Sequence, residues 1–241
     1  MKLSVIIPTK NEERHLPILL RQLSAQSRVP DEVIVADADS EDRTVEIAMK
    51  LGAKVVQGGL PGIGRNAGAS VANGDVLLFL DADVTFHDKM QIEKSLAQFT
   101  DRELDIATTD VFPEKGTKYD HFSHWVYNTY VRALARMSPH APGFFILVHR
   151  DLHEEIGGFD ETIFFCEDHD YAKRAAKLGT FGILSKLPIH VSIRRMDRDG
   201  RFAIAVKFLL AELHLIFLGP IRHKKFRYTF GHPVKKYGRK K

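Results

Sequence analysis

The chain has 241 residues, and an apolar content of 44% with ordinary glycine and proline usage excludes a disordered, collagenous or coiled-coil protein. Its net charge of +4 is unevenly distributed: nine Lys and Arg and no acidic residue lie between Ile221 and Lys241, and subtracting those nine leaves −5 on the rest. An acidic body with a basic tail excludes a uniformly basic nucleic-acid binder and suits contact with an anionic surface. One α/β domain is expected. The single cysteine, Cys166, forms no intrachain disulfide, and the apolar start ends at Pro8, too short for a signal-peptide core. Together these predict a cytoplasmic protein.

In chain order, Leu3 to Ile7 reads as a first strand and Glu13 to Gln26 as a helix with Leu16, Leu19, Leu20 and Leu23 on one face. Val33 to Ala36 is a second strand, followed by a helix that includes Val45, Ile47, Ala48 and Leu51, and Ala53 to Val56 is a third. A glycine-rich loop, a helix around Asn66 to Ala72 and the buried run Val76 to Leu80 complete a βαβ series, the signature of a parallel sheet. Beyond it, Asp105 to Phe112 and Phe144 to Val148 read as strands, and Tyr119 to Met137 as a helix whose Phe122, Val126, Ala133, Leu134 and Met137 would face the core. A helix from Asp168 to Leu178, strands at Thr180 to Leu184 and Ile189 to Ile193, and an apolar helix from Phe202 to Leu218 follow. Lys207, Glu212 and His214 interrupt that last run, which argues against a bilayer-spanning helix.

Ligands of an open parallel sheet collect beyond the carboxyl ends of the strands. Those positions are acidic here: Glu12 and Glu13 after the first strand, Asp37, Asp39, Glu41 and Asp42 after the second, Asp81 and Asp83 after Leu80. Such clusters repel one another unless a cation or a donor-rich ligand is present. Continued strand geometry would send the Asp81 and Asp83 side chains to one side, a pair of hard oxygens suited to Mg²⁺ or Mn²⁺. The segment Gly62-Ile63-Gly64-Arg65-Asn66-Ala67-Gly68 reads either as a phosphate-approaching loop with Arg65 as cation or as a tight turn into a helix. Glu167, Asp168, His169 and Asp170 follow an aromatic patch at a helix start, more ionisable groups than capping needs.

These segments together resemble the inverting family 2 glycosyltransferases of the GT-A fold, over roughly residues 3 to 200. The resemblance is carried, in order, by Val5-Ile6-Ile7-Pro8-Thr9-Lys10-Asn11-Glu12-Glu13, by Val33 to Asp42, by Gly64-Arg65-Asn66-Ala67-Gly68 leading to Asp81-Ala82-Asp83, and by Gly157-Gly158-Phe159-Asp160 leading to Glu167-Asp168-His169-Asp170. It implies a single domain over 1–200, with a nucleotide-binding half near 1–100 and an acceptor-binding half near 101–200, and a 201–241 appendage of apolar helix and basic tail. It implies transfer of a sugar from a nucleotide-sugar donor to a hydroxyl of a glycan or lipid-linked acceptor. Pro8, Thr9 and Glu12 would contact the nucleoside, Asp37 the base, Arg65 base or diphosphate, and Asp81 the ribose or metal. Asp83 would ligate Mn²⁺ or Mg²⁺ directly, and Asp168 would be the base. Ala38 stands where the family often has a polar residue, so base reading from that position is lost.

His190, after a late strand, is the candidate third metal ligand, and Arg194 and Arg195 could clamp the diphosphate or close a lid. The apolar 202–218 helix with the basic tail predicts peripheral attachment to the inner face of the membrane. Three other readings stay open at the sequence level: a polyprenyl-phosphate glycosyltransferase, a catalytically silent nucleotide-sugar-binding protein of the same fold, and a tail-driven nucleic-acid binder, against which the acidic body argues.

Overall fold

A computed structural model describes residues 1–226 and 230–231. The basic residues Arg227, Lys235, Lys236, Arg239, Lys240 and Lys241 fall outside the described residues. The centre is a seven-stranded sheet built from β1 (Leu3–Thr9), β2 (Glu32–Asp37), β3 (Lys54–Gln57), β4 (Val76–Phe79), β6 (Ile106–Thr108), β8 (Ile146–His149) and β9 (Phe181–Ile183). Its order is β3-β2-β1-β4-β8-β6-β9, with β8 antiparallel to both neighbours and the other pairings parallel. The four N-terminal strands are the expected βαβ series, connected by α1 (Leu16–Ser24), α2 (Thr44–Lys50) and α3 (Pro61–Ser70). Leu16, Leu19, Leu20 and Leu23 are the buried face of α1, as their spacing requires.

The predicted strand from Asp105 to Phe112 divides in two. β6 stays in the large sheet, while β7 (Val111–Pro113) joins β5 (Val84–Thr85) and β10 (Ile189–Val191) in a separate three-stranded sheet of order β5-β10-β7. Thr109 and Asp110, between them, let the chain change sheets. Helix α4 (Gln91–Asp101) covers one flank, and α6 (Arg150–Glu155) follows β8 directly.

Glycines shape the packing of α3 on β1. A Cβ at Gly68 would overlap the Ile6 side chain, and one at Gly64 would come within 3.1 Å of Pro8. The stretch beginning at Gly62 is therefore helical, with Pro61 in the first turn. It is not a loop open to a phosphate. Its glycines let a helix lie close on a buried strand, which brings Arg65 under the sheet edge.

Helix α5 (Lys118–Leu134) inverts the expected core face. Its buried stripe is Asp120, His124, Asn128 and Val131, while Phe122, Trp125 and Val126 are exposed. The cause is the polarity of what α5 lies against. Asn128 exchanges two 3.0 Å hydrogen bonds with the Val111 backbone at β7, and Asp120 accepts two from Arg201, at 2.7 and 2.9 Å. Arg201 opens α9 (Arg201–Phe217), which follows the short α8 (Arg194–Asp199). Ile204 and Ala211 of α9 are buried, and Ala211 packs with Phe165, Cys166 and Ile221.

Candidate active site

The acidic edge of the sheet is organised by two arginines that the chain itself supplies. Arg65, only 2% exposed, donates from Nη1 to Glu167 Oε1 at 2.7 Å and from Nη2 to Asp81 Oδ1 at 2.8 Å, with its guanidinium 5.3 Å from the Phe159 ring centroid. Burial pulls its pKa down, but the Asp81, Glu167 and Asp168 carboxylates outweigh it and raise it. Gly143 makes the arrangement possible, since a Cβ there would overlap Arg65 Nη2. A helix that starts 20 residues before Asp81 and a helix start near the C-terminal half of the chain are thus joined through one side chain.

Asp168 lies in the first turn of α7 (Glu167–Ala175), just after Cys166, whose backbone is left-handed at φ 60°. The Gly143 and His169 amides donate to its two oxygens at 2.7 and 2.9 Å. Its pKa is raised, chiefly by burial with a contribution from Asp81, while Arg65 opposes the shift. Glu167 is likewise raised by burial and by Asp168. A carboxyl held above its ordinary range, fixed by two backbone donors and still partly open, has the form of a general base.

The second arginine, Arg194, donates to both oxygens of Glu12, at 2.7 and 2.6 Å, and its Nε lies 3.3 Å from Asp83 Oδ2. Burial pushes Asp83 up to about 6, with Asp81 and Glu12 adding to the shift and Arg194 opposing it. The backbone turns after β4, so Asp81 and Asp83 do not share an extended face: Asp81 goes to Arg65 and Asp83 to Arg194. Two partly buried, mutually repelling carboxylates of this hardness fit a divalent cation, as does the buried Glu12 beside Asp83.

Asp37 closes the third corner. It accepts from Thr9 Oγ1 at 2.9 Å, and from the Ser40 amide and hydroxyl at 2.8 and 2.6 Å. Asn11 and Asp39, both with φ above 50°, bend the loops after β1 and β2 around it. Pro8 sits in β1 opposite Ala36 of β2, against Gly64.

His190 is not brought to this site. In β10 its neighbours Ile189 and Val191 point into the core, so the two-residue alternation turns His190 the other way, onto the His87 ring at 3.8 Å. Its ligand-type atoms group with His87 and Glu114, not with Asp81 and Asp83. The expected third metal ligand is therefore not supplied by His190 in this arrangement. The sequence marked Glu167 as part of an acidic cluster but gave it no role, and it gave Gly143 no part in the site. Pro142-Gly143 was a visible turn signal, but nothing in the sequence ties it to an arginine 78 residues earlier.

Residues 4–157 match the model of the family described as Glycosyl transferase family 2, so this chain belongs to that family. Its fold is of the GT-A type. Among its relatives, the "4,4'-diaponeurosporenoate glycosyltransferase" of Staphylococcus haemolyticus is 45% identical over 107 residues, which are 40% of this chain and 28% of that protein. The match thus spans well under two thirds of that relative. The structure of S. aureus TarS 1-349 in complex with UDP-GlcNAc superposes with a TM-score of 0.66 at 23% identity, covering 89% of this chain and 67% of that one. The mannosyltransferase PcManGT of Pyrobaculum calidifontis, in complex with GDP-Man and Mn²⁺, gives 0.65 at 19% identity, covering 90% and 70%. Among the described residues, no helix is long and apolar enough to cross a membrane.

Proposed function

We propose that this protein is an inverting glycosyltransferase that moves a sugar from a nucleotide-sugar donor to an acceptor hydroxyl, with Asp168 as the base. The observation that carries this reading is the buried Arg65, which joins Asp81 to the Glu167–Asp168 pair and so puts a cation-binding carboxylate and a poised base on one edge. The TarS and PcManGT structures of the same fold bind UDP-GlcNAc and GDP-Man, which supports a donor of that kind here.

In this reading Thr9, Asp37 and Ser40 shape the nucleoside pocket between the ends of β1 and β2. Pro8 walls it, and Glu12 borders it. Asp83, with Asp81, would hold Mn²⁺ or Mg²⁺, which when bound neutralises charge on the leaving diphosphate. Asp168 takes the acceptor proton as the oxygen attacks the anomeric carbon from the face opposite the diphosphate. Gly143 and His169 hold its carboxylate in that orientation. One displacement inverts the anomeric centre. Arg194 stands on Glu12 and Asp83 until donor and cation arrive, then is free to meet the diphosphate.

The acceptor is assigned as lipid-linked, as in a polyprenyl-phosphate transferase, and the protein as peripheral on an anionic cytoplasmic membrane face. Phe202, Phe217 and Leu218 are 80%, 76% and 74% exposed, and Phe122 and Trp125 of α5 are exposed as well. Lys224 and Lys225 follow α9. The deciding experiment measures binding and turnover of UDP-, GDP- and dTDP-sugars with and without Mn²⁺, offering a polyprenyl phosphate or a soluble glycan as acceptor. A metal-dependent donor response with transfer to the lipid supports the assignment; no response to any donor overturns it.

A further inference from the structure

Behind the base, away from the donor edge, three elements send ionisable side chains into one buried space. His140 comes from the loop after α5, His169 from α7 and Glu212 from α9. His140 is fully buried and His169 is 8% exposed. One ligand-type atom from each lies within 4.8 Å of the others.

Hydrogen bonding around the group is incomplete in a specific way. His140 Nδ1 sits 2.6 Å from the Ser138 carbonyl, which only accepts, so Nδ1 carries the proton. Its Nε2 then faces Glu212 Oε1 and Oε2 at 3.2 and 3.4 Å, and in the neutral ring that is a lone pair against a carboxylate. Glu212 Oε1 already accepts from the Tyr130 hydroxyl at 2.7 Å. His169 Nδ1 is buried without a hydrogen-bond partner, and its Nε2 lies 3.9 Å from Asp168 Oδ1, too long for a hydrogen bond. With His140 neutral, its Nε2 lone pair and the Glu212 carboxylate converge beside the unpartnered His169 Nδ1, and the Tyr130 hydroxyl reaches only Glu212 Oε1.

We propose that His140, His169 and Glu212 hold a divalent transition-metal ion of the zinc class, distinct from the cation at Asp81 and Asp83. Two imidazoles and a carboxylate are a ligand set that Zn²⁺ takes, leaving a fourth position for water. Tetrahedral bonds of about 2.1 Å put ligand atoms about 3.4 Å apart, so closing on the ion needs side-chain movements of about 1 Å or less. Two of the three ligands already have the outer-shell partners such a site requires: a carbonyl takes the far N–H of His140, and a phenol holds the Glu212 carboxylate. The ion would clamp α9 to the residue that follows the base, linking the apolar helix to the geometry of Asp168. The His87, Glu114 and His190 group is a weaker competitor, because stacked rings aim their nitrogens side by side and His87 already meets Glu114 at 2.7 Å.

The test uses the full chain, stripped with chelator and titrated with Zn²⁺, then gel-filtered for metal analysis. Native protein and Asp83→Ala should each retain about one zinc per chain, while His140→Gln and Glu212→Gln should bind about 100-fold more weakly. Circular dichroism checks that the variants are folded. Independently of any variant, Co²⁺ added to stripped Asp83→Ala should give the visible absorption of a tetrahedral site, and Zn²⁺ should raise its melting temperature where Mg²⁺ does not. Failure of the stripped protein to hold Zn²⁺ or Co²⁺, or loss of zinc in His87→Ala but not in His140→Gln, overturns the proposal and leaves His140 and Glu212 as an ordinary ion pair. Because the readout is metal content in an Asp83→Ala background, its outcome is separable from that of the transferase reading.

Discussion

Replacing the buried Arg65 with methionine removes the cation shared by three partly buried carboxyls while keeping most of the side-chain volume. Breaking a buried ion pair by deleting one partner costs about 3–5 kcal/mol, because the remaining charge is stranded. In a chain of this size each kcal/mol lowers Tm by about 2–4 °C, so Arg65→Met should melt roughly 6–20 °C below the native protein. The loss should depend on pH. Burial already raises Glu167 and Asp168, and without the guanidinium they rise further. Between the unfolded and folded pKa values the native form then holds more protons than the unfolded chain, so stability falls as pH rises through that window. The deficit is therefore larger at about pH 8 than at about pH 5. Differential scanning calorimetry at both pH values measures it. A variant melting within about 1 °C of native, or a deficit that shrinks as pH rises, refutes the view that Arg65 neutralises this cluster.

Four further outcomes follow from the same geometry. Asp83, pushed up to about 6 by burial, should lose Mn²⁺ affinity as pH falls below that value, seen by calorimetric titration. Arg194→Ala removes a cation that competes for Asp83, so Mn²⁺ should bind more tightly than to native protein; weaker binding would show that Arg194 assists the site. Gly143→Ala forces a Cβ into Arg65 and should cost about 1–3 kcal/mol by chemical denaturation together with most of the transfer activity. Glutamate in place of Leu209 and Phe217, both exposed, should reduce flotation with anionic vesicles without changing Tm, and unchanged flotation would remove α9 from the membrane reading.

The N-terminal half was legible because its physics is local. Strands of β-branched residues and the Leu16, Leu19, Leu20, Leu23 stripe fix elements whose faces depend on periodicity alone. Acidic residues at the strand ends likewise announced the site. What the sequence concealed was pairing over long separations: Arg65 with Glu167, and Arg194 with Glu12, satisfy carboxylates that otherwise call for a ligand. The α5 face failed for a related reason. Apolar spacing pointed Phe122 and Val126 inward, yet the surface beneath α5 offers the Val111 backbone and Arg201, so Asn128 and Asp120 turn in. His190 was misplaced because its role was read from order along the chain, while strand alternation sets its direction.

Substitution at Asp168, the proposed base of the sugar transfer, tests that role most directly. Asp168→Asn keeps the shape of the side chain, and its carbonyl oxygen can still accept from the Gly143 amide. Its donor affinity should stay within about threefold of native, and its transfer should fall by at least about 100-fold across the pH range. Transfer by Asp168→Asn at a rate near native, with the donor bound normally, would contradict it.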